Sequence, residues 1–81
     1  MIRSEEVRAK LRELPFRPFR VVTSSGLIFD IQRSDAVMVL NQRLITGEYP
    51  PSHPEIAERA CEVSLLDVSE LHPIPVDPYL N

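Results

Sequence analysis

The chain has little of what staples, bends or crowds a small protein. Among its 81 residues are one cysteine, two glycines, no tryptophan, three phenylalanines and two tyrosines. The lone Cys61 excludes an internal disulfide, and one thiol cannot build a structural zinc site, which draws on several Cys and His ligands. Gly26 and Gly47 are too few for a glycine-rich phosphate cradle. No apolar run approaches the ~18 residues that span a bilayer. The N-terminus, MIRSEEVRAK, sets two glutamates where a signal peptide needs its apolar stretch. Together these absences lead to the expectation of a cytoplasmic protein with no membrane segment. One domain is expected over residues 1–75, followed by a loose tail at 76–81.

Net charge is −3, which argues against a protein that lives by nonspecific contact with phosphate backbones. Its distribution is uneven. Residues 1–20 carry six basic side chains (Arg3, Arg8, Lys10, Arg12, Arg17, Arg20) against three acidic ones, whereas residues 44–81 carry Arg59 against seven acids. The basic end of one copy can attract the acidic half of another, so a homo-oligomer weakened by salt is one expected state.

The residues present describe a helix followed by strands. Ser4 reads as an N-cap, with Glu5 and Glu6 at the positive end of the helix dipole. Val7, Leu11 and Leu14 then fall at i, i+4 and i+7, one narrow apolar stripe. Pro15 stops the helix, and Pro15 to Pro18 makes a stiff connector with Phe16 and Phe19 as anchors on either side. From Phe19 the period changes to two, with Phe19, Val21 and Thr23 on one face. Ser24-Ser25-Gly26 is a turn in which Gly26 supplies a positive φ, and LIFDIQ returns from it. RSD, Arg33 to Asp35, breaks the pattern. AVMVL and RLIT follow, joined at Asn41-Gln42, where Asn tolerates left-handed geometry. GEYPPSHPEIAERA, 47–60, is a long proline-rich connection in which Pro54 can open a helical turn. CEVSLLDV resumes the alternation, and SELHPI closes it before Pro75.

This order predicts a mainly β, α+β fold: an N-terminal helix and a five-stranded antiparallel SH3-like/Sm-like small barrel, closed through a tight bend at Leu66 to Val68. The segments LPFRPFRVV (14–22), SGLIFDI (25–31), RSDAVMVLNQRLITG (33–47) and LLDVSELHPI (65–74) resemble a group of short, functionally uncharacterised bacterial proteins. A PFRPF-type helix–strand junction marks that group. The resemblance implies the fold and carries no catalytic or binding residue.

No constellation points to catalysis. His53 and His72 are the only histidines, and pairing either with Asp67 or Cys61 as acid–base or nucleophilic machinery has no motif behind it. Cys61 alternates with Val63 and Leu65, as a buried small hydrophobe does. Asp30, Asp35, Glu62, Asp67 and Glu70 have no calcium-loop spacing. The expectation is therefore a non-enzyme with no cofactor and no metal: a small-barrel protein-interaction module for an unknown protein partner. An Sm-like RNA-binding protein is the alternative, with Asn41 and Arg43 as the nucleic-acid contacts. Against it, the closing bend carries Asp67 where RNA-binding Sm-like proteins carry a cation.

Overall fold

The computed structural model describes residues 2–74, so the expected tail at 76–81 lies outside the described residues. Among the described residues one helix, α1 (Ser4–Leu11), precedes six strands: β1 (Phe19–Thr23), β2 (Ile28–Ile31), β3 (Val37–Val39), β4 (Arg43–Glu48), β5 (Arg59–Ser64) and β6 (Val68–Pro73). Short 3₁₀ turns at Ser34–Ala36 and Leu65–Asp67 separate β2 from β3 and β5 from β6. The strands form two antiparallel three-stranded sheets, ordered β2-β1-β6 and β3-β4-β5.

The α+β class agrees with the sequence, but the closed five-stranded barrel does not. At the RSD break the chain turns through Ser34–Ala36, and the strand after it pairs in the other sheet. No ladder joins β2 to β3. Each sheet therefore keeps its own edges, and the two are joined by side-chain packing and by the turns through which the chain passes between them.

Those side chains follow the alternation. Phe19, Val21 and Thr23 of β1 are buried, as are Ile31 of β2, Leu44 and Thr46 of β4, Val63 of β5, and Leu65 and Val68 at the bend. Val7, fully buried, brings α1 onto this core. Phe19, Leu44, Val7 and Val21 are the largest side chains with essentially no exposure, and each contributes about 1.5–3 kcal/mol relative to an exposed position. Phe16 is half-buried and meets Phe19 edge-to-face with ring centroids 6.3 Å apart, so the two anchors flank the junction as expected. Gly26 has φ +92° and closes the β1–β2 hairpin, as predicted.

Several local expectations are corrected. The N-cap is Arg3, without a side-chain cap bond, and Ser4 is the first helical residue. The helix stops at Leu11, so the 3.6-residue period does not reach Leu14, which is 95% exposed. The Leu14–Pro15 peptide bond is cis. Asn41 does turn the chain between β3 and β4, with the Leu40 N–H donating to the Arg43 carbonyl at 2.8 Å, but no residue other than glycine has positive φ among those described. Pro54 opens no helix: the 49–58 connection runs in turns, and Arg59 already belongs to β5. CEVSLLDV is not one strand, since Ser64 ends β5 and its hydroxyl accepts from the Leu66 N–H at the bend. Cys61 is half-buried rather than buried, packed against the rim of the core.

Candidate binding cleft

The two sheets part where β2 and β3 fail to join, and a cleft of about 500 Å³ opens there. One wall is the unbroken run Ile28 to Arg33, and the other is Thr46 to Pro51, with Ala36 and Pro54 completing the lining. Successive side chains of a strand point to opposite faces, so four consecutive β2 residues can line one cleft only if it runs along the strand's edge. The opposite wall has the same character. β3 pairs with β4 from Leu44 to Thr46 only, so Gly47 and Glu48 continue past the end of β3. The cleft is the space that a longer β3 would occupy.

The hydrogen-bond polarity of the β2 edge follows from the hairpin. The Thr23 N–H donates to the Leu27 carbonyl at 2.9 Å, and the register pairs Val22 with Ile28, Val21 with Phe29, Arg20 with Asp30 and Phe19 with Ile31. In an antiparallel ladder bonded and non-bonded pairs alternate, so the bonds to β1 come from Phe29 and Ile31. The N–H and C=O groups of Ile28 and Asp30 point the other way, to the free edge. The Ile28 side chain is 57% exposed.

The far wall is held by Arg33. Its guanidinium makes two hydrogen bonds to the Asp35 carboxylate, at 2.9 and 2.8 Å, donates to the Pro54 carbonyl, and lies 4.3 Å from the centroid of the Tyr49 ring. A planar donor fork stacked on an aromatic ring thus ties the proline-rich loop to the turn after β2. Tyr49 packs in turn over Gly47, where a Cβ would come within 3.1 Å of its ring. The hydrogen bonds from Arg33 hold the Asp35 carboxyl below the usual carboxylate range and raise the Arg33 pKa in return.

The other charges at the cleft are compensated as well. Asp30 is bound by Arg20 across the strands at 2.7 Å, and this hydrogen bond lowers the Asp30 pKa; Glu48 meets Arg59 at 3.3 Å. The described lining is therefore a mixture of apolar side chains, the uncharged polar Gln32, Thr46 and Tyr49, and charges that already have partners.

The residues singled out for nucleic acid lie outside this cleft, at the turn between β3 and β4. Asn41 borders a smaller hollow, about 200 Å³, with Ile2, Ser4, Gln42, Leu65 and Leu66. Arg43 reaches across to β5 and pairs with Glu62 at 2.6 Å. His72 lies beside Glu70, 2.6 Å away, rather than beside Asp67 or Cys61, and His53 is exposed in the 49–58 loop. Among the described residues no group of three or more His, Cys, Asp or Glu is placed to hold a metal ion, and no helix is long and apolar enough to cross a membrane. Sequence reasoning missed the cleft. Its signals are the RSD break after β2 and the cluster of Tyr49 with three prolines in the long connection before β5.

Comparison with protein-family models, with curated proteins and with solved structures found no match to this chain.

Proposed function

We propose that this chain is a non-catalytic protein-interaction module, cytoplasmic in setting, that receives an extended peptide in the cleft between β2 and β4. The observation that supports the reading is a strand edge, unpaired among the described residues, that forms one wall of a cleft with Ile28, Phe29, Ile31 and three prolines in its lining. An edge presents a row of unpaired backbone donors and acceptors, and an extended chain is the ligand that offers a matching row. The fold reading that accompanies it is an SH3-like small barrel opened between β2 and β3. It is supported by the return of β6 to β1 through the 3₁₀ turn and by the PFRPF-type junction. RNA is disfavoured because Arg43 is already bound to Glu62 and the closing bend presents Asp67.

The test is to pan the immobilised chain against a library of random linear ten-residue peptides and to titrate the enriched sequences by fluorescence anisotropy. Enriched peptides should bind the parent and lose about tenfold or more in affinity to Tyr49→Ala. Failure to enrich any peptide, together with tight saturable binding of single-stranded RNA that Arg43→Ala abolishes, would replace this reading with the Sm-like one. Otherwise RNA should bind no tighter than the roughly 10⁻⁴–10⁻⁶ M of nonspecific charge contacts.

A further inference from the structure

Resting on that reading, we infer that the peptide binds as an added strand on β2, hydrogen-bonded to the backbones of Ile28 and Asp30, and that it carries uncharged, apolar side chains at the alternate positions facing the cleft. The edge fixes the first part. Of the four residues of β2, only Ile28 and Asp30 turn their N–H and C=O groups away from β1, two residues apart on one line. A partner strand must therefore place two of its own residues, also two apart, opposite them. Every second residue of that partner makes backbone bonds to β2, and the intervening ones do not.

Charge complementarity fixes the second part. Among the described residues, Asp30, Arg33 and Glu48 are the charged residues lining the cleft, and each is already bound, to Arg20, Asp35 and Arg59 respectively. A charge brought in on the cleft side of the peptide would lose water and find no free counter-ion among the described lining residues. On the opposite side the peptide's side chains run along the outer face of the sheet, where Ile28, Arg20 and Asp30 are exposed and either polarity is tolerated.

A second copy of this chain fits the same edge less well. Two-fold pairing of β2 with itself through the outward groups puts Asp30 opposite Asp30, or Ile28 opposite Asp30, or else centres on Ile28 and leaves the cleft wall beyond it unused. Like charges directly opposed destabilise a pair, and an apolar residue facing a carboxylate gains little. The occupant is accordingly a segment of another protein, with apolar residues at i and i+2.

The experiment is an N-methyl scan of a peptide enriched as above, titrated against the parent chain and against Ile28→Pro. N-methylation at one parity should weaken binding about tenfold or more by removing a donor and crowding the edge, while methylation one residue along should change it by less than about threefold. Ile28→Pro removes an outward N–H and no ladder bond, so it should keep its thermal melt and lose the peptide. Should that variant not fold, a Lys substituted along the peptide, tolerated at one parity and not at the other, reads the same strand geometry. Binding that tolerates N-methylation everywhere, or suffers equally at both parities, would overturn strand addition while leaving the interaction-module reading intact. Sedimentation equilibrium showing a dimer of the parent that Ile28→Pro abolishes would overturn the choice of partner.

Discussion

The two outer strands of the first sheet, β6 and β2, are both edges, and they are finished in opposite ways. β6 carries Glu70 and His72 toward solvent and ends in Pro73, which has no N–H to offer. Charges and proline are how natural sheets blunt an edge against unwanted pairing. β2 carries Ile28 and Phe29, and its one charge, Asp30, is bound by Arg20. One edge is protected by its own chemistry and the other by little more than its shortness. Two edges of one sheet thus need not share a role, and under the proposed strand addition the unprotected one is the docking edge.

The largest expected effect removes the support common to both edges. Phe19 stands at the head of β1, 1% exposed, paired with Ile31 on one side and Pro73 on the other. Phe19→Ala is expected to cost about 3–5 kcal/mol through the cavity it leaves, and a thermal melt within a degree or two of the parent would mean that the inward face has been assigned wrongly. Leu44→Ala, in the middle strand of the other sheet, is expected to cost about 2–5 kcal/mol. If only one of these variants lost stability, the two sheets would not be sharing one core.

A smaller effect separates the edges by pH. The hydrogen bond from Arg20 lowers the Asp30 pKa in the folded protein, so the folded state holds its proton less tightly than the unfolded chain does. That stabilisation is fully present above the unfolded carboxylate value of about 3.9, and it declines as pH falls below that value and through the folded pKa. Asp35, hydrogen-bonded by Arg33, acts in the same direction. Chemical denaturation followed from pH 6 down to pH 2 should show a shallower acid loss in Asp30→Asn than in the parent; an unchanged slope would mean that the pair contributes nothing measurable at that edge. The smallest effect is expected from Arg17→Ala at the exposed junction, within about 0.5 kcal/mol of the parent by the same denaturation.

What could be read from the sequence was whatever repeats over a few residues. The inward set Phe19, Val21 and Thr23, the Gly26 hairpin, the Asn41-Gln42 turn and the bend before Val68 are local patterns with local causes, and each has its place in the structure. Leu14 failed because its spacing fits the helical stripe although the helix has already ended. Closure failed for a different reason. Whether β2 continues into β3 as one bent strand or breaks between them is decided by long-range pairing, and Arg33 to Asp35 reads the same in both cases. The cleft inherits that difficulty, because it is made by a missing ladder, and its wall residues Ile28 and Tyr49 lie far apart in sequence.

The pairing of β1 with β6 also governs how the protein can be made. Thr23 and Val68 are partners across the ladder, yet some forty-five residues lie between them. At roughly 5–20 residues per second, a ribosome needs several seconds to deliver the second after the first. During that interval the β1–β2 hairpin has its other edge bare, and Val21 lacks its partner Leu71. The β3-β4-β5 sheet, whose strands follow one another through connections of its own, can assemble in the meantime. The first strand of the chain is thus among the last to be completed, and the nascent protein passes through a stage with two exposed edges on one hairpin before β6 arrives to cover one of them.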